Sequence, residues 1–172
     1  MVNQQEGIAI KNAGIVILNA YISMLLERLD LLEKNKFKTK ESQLQGVHYI
    51  QYLATGLSKT EESSLSLNKV FCGLPLAIPV GDGIEITDNH KNLMDGLINA
   101  AISHWSAIGD CTVNGFRGNW LVRDGLLVEK EERWELIVDK KVYDLLIHKS
   151  PFSFSIIKYS WMLKPLHVIW PY

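Results

Sequence analysis

The stretch from Thr87 to Gly109 reads TDNHKNLMDGLINAAISHWSAIG, and the stretch from Leu126 to Val138 reads LLVEKEERWELIV. In the first, Met94, Ile98, Ala101, Trp105 and Ile108 recur in steps of four and three, the spacing of one face of an α-helix. Thr87 is placed to cap its start and Gly109 to stop it. In the second, two short apolar runs flank the charged residues Glu129 to Arg133, the pattern of a β-hairpin. The apolar period changes after Asp110. The sequence therefore predicts an α+β fold in one domain: an N-terminal helical bundle over about residues 1–110, followed by a small C-terminal antiparallel sheet over about 111–172.

Upstream of that helix, Ile8 to Leu32 predicts a further helix, apolar on nearly every side, because Ile15, Ile17, Leu18, Ile22, Leu25, Leu26 and Leu29 do not share one stripe. Glu33 to Lys40 predicts a solvated loop with Phe37 as an apolar plug. Leu44, Val47, Ile50, Leu53 and Leu57 mark an amphipathic helix that Gly56 helps to end. Leu65 to Cys72 predicts a short helix ended by Gly73, and Pro75 and Pro79 keep the next segment extended before the turn at Gly81 to Gly83. Beyond the hairpin, Val142 to Ile147 predicts a helical turn. Phe152 to Ile157 and Leu166 to Trp170 alternate as strands do.

Composition narrows the function. The 172 residues are 47% hydrophobic and 22% charged, enough apolar side chain for a packed core in one domain. A net charge of -1 lacks the cationic excess of a broad nucleic-acid footprint, so no nucleic-acid partner is expected. Ala13 to Leu26 is the longest apolar stretch and falls short of the ~20 residues that span a bilayer, so no membrane insertion is expected. Cys72 and Cys111 are too few for a disulfide framework.

Local signatures of chemistry are missing. The sequence has no phosphate loop, dinucleotide fingerprint, nucleophile elbow or paired-histidine helix motif. Gly81, Asp82 and Gly83 with Glu85 and Asp88 lack the ligand series of a calcium loop. His48, His90, His104 and His167 do not stand at zinc-motif spacing from one another or from the cysteines. No catalytic residue, cofactor or metal is expected. An enzyme with a pocket between helices and sheet, using Cys111, His104 or Asp144, is the alternative from another class; a cytoplasmic assembly chaperone is a third. Asp144 is the better candidate for anchoring a turn, and His104 for the edge of the core.

Several segments together resemble a known family. Ile10 to Leu32 (IKNAGIVILNAYISMLLERLDLL), Val47 to Gly56 (VHYIQYLATG), Leu65 to Val80 (LSLNKVFCGLPLAIPV) and the closing segment with YDLLI, FSFSIIKYSWM and KPLHVIW resemble the contractile injection system tape-measure protein family, in its C-terminal conserved region. Asn12-Ala13-Gly14, Leu67-Asn68-Lys69, Cys72-Gly73-Leu74-Pro75 and Trp161-Met162 carry the likeness together. Ser150-Pro151-Phe152 and Tyr159-Ser160-Trp161-Met162 depart from the family's Leu-Pro-Trp pattern while keeping the aromatic positions.

The resemblance implies a structural or assembly component of a phage-tail-like particle, anchored to inner-tube and baseplate or hub proteins, with a second copy of the chain as a further partner. It implies residence in the cytoplasm during assembly and departure within the particle. Family members are generally longer, so the chain is expected to be either the terminal part of a longer protein or a compact relative. The expected contact residues are Ile15, Ile22 and Leu29 on the apolar helix, and Trp161, Met162 and Trp170 at the aromatic end.

Overall fold

The structure, a computed structural model, describes residues 6–171. The chain opens with strand β1 (Ile8–Ile10), a 3-10 segment (Ala13–Leu18) and helix α1 (Asn19–Arg28). A tight hairpin, β2 (Leu32–Glu33) and β3 (Lys36–Phe37), leads into α2 (Lys40–Thr55). Then come α3 (Ser66–Phe71), α4 (Asp88–His104), the single turn α5 (Val113–Phe116) and a π-helical turn (Arg117–Leu121). The hairpin of β4 (Gly125–Glu129) and β5 (Trp134–Val138), a 3-10 helix (Val142–Lys149), β6 (Ile156–Ile157) and β7 (Leu166–Ile169) complete it. The main sheet runs in the order β1, β4, β5, β7, β6.

Local signals explain several of these bounds. The Thr87 hydroxyl accepts from the His90 N–H at 3.2 Å and starts α4, while Gly109, at a φ of 69°, ends the 3-10 turn Ser106–Ile108 that follows it. Thr39 caps α2 in the same way, through the Ser42 N–H at 3.0 Å, and Gly56 ends it at a φ of 76°. Thr87→Ala is expected to lower stability by about 1 kcal/mol, read as a shifted urea midpoint with an unchanged m-value.

The continuous helix expected from Ile8 to Leu32 is instead a strand, a 3-10 segment, a ten-residue helix and half a hairpin. Every residue from Ala13 to Leu18 is buried, so the segment threads the interior and presents no polar face from which a period could be read. Lys34 and Asn35, at φ of 51° and 62°, form the turn between β2 and β3, which replaces part of the expected loop. Phe37 does plug inward, edge-on to Trp161 at 5.4 Å. Helix α4 stops at His104, with Ile108 in a separate 3-10 turn. Of the expected strand from Phe152, only Ile156 and Ile157 pair.

The order of helices first and sheet last also needs correcting, because β1 forms one sheet edge against β4. The sheet is mixed: β1, β4 and β5 are antiparallel neighbours, as are β6 and β7, but β5 and β7 run parallel. A parallel pair needs a long crossover, which the chain supplies between Val138 and Leu166. Helices and strands share one hydrophobic cluster that includes Ile15, Ile22, Leu53, Phe71, Trp105, Leu127 and Leu136.

Candidate functional site

The residues that carry the resemblance meet in space. Asn12 precedes the 3-10 segment, Gln51 lies on α2 and Asn68 on α3, and all three side chains are buried. Asn12 Nδ2 donates to Asn68 Oδ1 at 2.7 Å and to Gln51 Oε1 at 3.1 Å; Asn68 Nδ2 donates to the Val47 carbonyl at 3.0 Å and to Gln51 Oε1 at 3.1 Å. Gly14 lies directly against the Trp120 carbonyl, closer than any side chain would permit. Buried Lys69 donates to Glu62 Oε1 at 3.3 Å and to the Leu76 carbonyl at 3.0 Å. Glu62 also accepts from the Val80 N–H, and these contacts hold its carboxyl below the usual range despite the opposing pull of desolvation.

At the other end, Gly73 adopts a φ of 72° with its Cα against the Trp161 carbonyl. Trp161 Nε1 donates to the Phe71 carbonyl at 2.8 Å, and its ring stacks on Tyr159 at 5.0 Å. The Tyr159 hydroxyl donates to the Asn19 carbonyl, and burial pushes its pKa up. Burial likewise raises the thiol of Cys72. Together these contacts bind the start of the chain, α2, α3 and the segment before β7 into one junction.

A second buried centre joins the sheet to the crossover. Arg123 and Asp144 have fully buried side chains and pair through two hydrogen bonds, at 2.7 and 3.0 Å. Asp144 Oδ2 also accepts from the Lys141 N–H at 2.9 Å and from Trp170 Nε1 at 2.8 Å. Arg123 donates to the carbonyls of Asp139 and Asn119 and lies over the rings of Trp120, Tyr143 and Trp170. Burial works to raise the Asp144 pKa, but the bonds from Arg123, Lys141 and Trp170 and the Arg123 charge outweigh it and lower it. Asp144 thus anchors its turn, as its position suggested, with no access for a substrate. Nothing local in the sequence marked Arg123 as its partner.

The other candidate catalytic groups are not brought together. His104 Nδ1 shares a hydrogen bond with the Tyr21 hydroxyl at 2.9 Å, whereas the Cys111 thiol donates to the Thr112 carbonyl at 3.2 Å. Burial raises the Cys111 pKa, the opposite of what activates a thiolate nucleophile. His48 Nε2 donates to the Val80 carbonyl at 2.8 Å, and His90 meets the Tyr49 hydroxyl. Among the described residues, no three His, Cys, Asp or Glu side chains gather as metal ligands.

The outer face of the sheet is exposed and apolar. Ala9 pairs with Leu126, Leu126 with Ile137, and Ile137 with Ile169, so the four lie in one row across β1, β4, β5 and β7. Directly opposed residues point to the same side. Leu126, Ile137 and Ile169 are 40%, 37% and 46% exposed. The neighbouring row adds Glu135, His167 and the exposed Ile156.

A family model described as contractile injection system tape measure protein matches residues 2–170. The chain belongs to this family. Neither curated proteins nor solved structures give a match to it. The match covers both buried centres and the whole sheet, so the tape-measure resemblance read from separate motifs extends over the helices and the sheet alike.

In this tape-measure chain five of the six expected contact residues are buried within the chain itself. Ile15 and Ile22 are fully buried and Leu29 nearly so, packed within the chain's own core because sheet and helices enclose that segment on all sides. Met162 and Trp170 are buried as well, Trp170 because Asp144 accepts its indole N–H. Trp161 is half-buried with its N–H already bonded. None of the six forms a free patch. The outer sheet face was missed, although the unbroken apolar runs around Leu126, Ile137 and Ile169 carry its signal: apolar residues on both faces of a strand.

Proposed function

We propose that this chain is a folded anchoring unit of a contractile particle, and that the outer sheet face seats it on an inner-tube or baseplate subunit. The row Ala9, Leu126, Ile137 and Ile169 carries the reading, because an apolar row in register across four strands is a ready interface. Family membership supports a structural role. The longest helix, the 17 residues Asp88–His104, reaches about 25 Å, and the elements fold back on one another. Residues 6–171 thus suit anchoring better than measuring a tube by contour length. Assembly in the cytoplasm and departure with the particle follow from this role. Among the described residues, no helix is long and apolar enough to cross a membrane.

The experiment combines Leu126→Thr, Ile137→Thr and Ile169→Thr, which keep strand-forming side chains while removing the apolar surface. The variant is expected to melt within a few degrees of the parent and to lose co-purification with tube and baseplate subunits. Unchanged co-purification from a folded variant overturns the proposal.

A further inference from the structure

Helices α1 and α4 run antiparallel, the start of one tied to the end of the other by the hydrogen bond of 2.9 Å between the Tyr21 hydroxyl and His104 Nδ1. Between them opens a cavity of about 480 Å³. Tyr21 stands at one end of it, and Arg28, the last residue of α1, stands at the other beside Asn92, near the start of α4. Leu25 and Leu97 are buried beneath the cavity, and Met24 stands 39% exposed at its side. The trough is therefore apolar along its length.

Gly96, the middle residue of the 17 in α4, also lines it, and a Cβ there would meet nothing within 4 Å. Glycine weakens a helix interior relative to alanine. Gly14 and Gly73 each admit a carbonyl from within the chain, but the chain brings nothing against Gly96. Its bare backbone is left open to a close approach from outside.

Shape and charge select the occupant. From Tyr21 to Arg28 α1 advances about 10 Å, about two turns. Two helices side by side leave a trough into which a third sets its ridges, and a glycine at the crossing brings the backbones close. Arg28 is the only charged residue in the lining, and its side chain pairs with none of the described residues. A free guanidinium at the end of an apolar trough calls for a carboxylate, which it can hold through two parallel hydrogen bonds. An amphipathic helix with an acidic residue beside its apolar stripe meets the length, the bare glycine and the charge together.

We propose that the groove between α1 and α4 receives an amphipathic helix of a partner protein, its apolar stripe against Gly96 and Leu97 and its carboxylate on Arg28. This rests on the reading that the chain docks on other proteins, but uses residues separate from the sheet face.

The test uses the full chain, labelled with nitrogen-15, and two capped helical peptides of about 18 residues made of alanine and leucine. One carries glutamates beside its leucine stripe; the other carries lysines at the same places. The glutamate peptide is expected to give saturable shifts of the Gly96 and Leu97 amides. The lysine peptide should bind about tenfold more weakly, because the change turns an attraction into a repulsion. Gly96→Leu, at an exposed position, fills the trough: it is expected to melt no lower than the parent and to weaken the glutamate peptide by about tenfold or more. Arg28→Glu is expected to reverse the preference between the peptides. Equal binding of the two, no saturation with either, or full affinity in the Gly96→Leu chain overturns the proposal. A dimer of the free chain that Gly96→Leu dissolves gives the groove to a second copy, and saturation by laurate but by neither peptide gives it to an amphiphile; each also overturns the helix. Those failures leave the sheet-face reading standing, because the threonine variant tests it independently.

Discussion

Asp144→Asn is expected to destabilise the fold by about 3–5 kcal/mol, the usual effect of removing one partner from a buried ion pair. Arg123 would keep its full charge in a site with no exposure, where Nε already lacks a partner. Asparagine preserves the shape and one acceptor, so the loss isolates the charge and the second acceptor. Arg123→Met combined with Asp144→Leu is expected to recover part of the loss, since no unpaired charge then stays inside. The recovery stays partial because the Lys141 N–H and Trp170 Nε1 lose their acceptor.

The same pair sets the acid limb of stability. The folded pKa of Asp144 lies below its unfolded value, about 3.9 for an ordinary aspartate. A carboxyl held low in the fold adds stability that is full above the unfolded value and is lost as pH falls through the folded one. Glu62 is shifted in the same direction and adds to the same limb. The melting temperature of the parent chain is expected to stay level from neutral pH to about 5 and to fall below pH 4. The gap between parent and Asp144→Asn should narrow over that interval. A variant within about 1 kcal/mol of the parent at pH 7, by urea unfolding, would show that the pair contributes no more than a surface bridge.

What was legible in the sequence was local. Thr87 and Gly56 mark helix ends through bonds and dihedral angles that involve neighbours a few residues away, and the structure places both as expected, whereas α4 ends at His104 and Gly109 closes the separate 3-10 turn after it. The hairpin of β4 and β5 was readable for the same reason. The strand Ile8–Ile10 was not, because three residues carry little period and its partner β4 lies at the far end of the chain. The buried run Ala13–Leu18 defeats periodicity in another way: apolar contrast needs a wet face, and this segment has none. Arg123 sits in the sequence beside Asp124 and looks like part of a solvated turn, yet its partner is Asp144. The aromatic end invited an interface reading, but Trp161 and Trp170 find acceptors for their N–H groups inside the chain, and Trp170 is buried there. The motif residues Asn12, Gly14, Asn68 and Gly73 were readable as a pattern, while their mutual contact was not, since it joins segments distant in sequence.

That contact makes Gly14 the position where the smallest chemical change should matter most. A Cβ at Gly14 would overlap the Trp120 carbonyl oxygen and lie 2.6 Å from its carbon and 2.9 Å from Leu121 Cα. All three are backbone atoms, so no side-chain rotation relieves the overlap. The 3-10 segment and the π-helical turn must move apart, and the same turn leads to Arg123, whose carbonyl accepts from the Ala13 N–H at 2.8 Å. One methyl group therefore acts as a wedge between the core segment and the buried ion pair. Gly14→Ala is expected to lower stability by about 3 kcal/mol, the upper end of overpacking effects. Gly73→Ala should behave similarly, because its φ of 72° disfavours a side chain and the Trp161 carbonyl blocks the Cβ site. Gly96→Ala is the control: in mid-α4, with open space around its Cβ, it should raise stability by about 0.5–1 kcal/mol through helix propensity. Opposite signs at Gly14 and Gly96 in parallel urea titrations are the expected result. If Gly14→Ala unfolds at the same urea concentration as Gly96→Ala, the glycine in the Asn12-Ala13-Gly14 motif is not there to let two backbones touch.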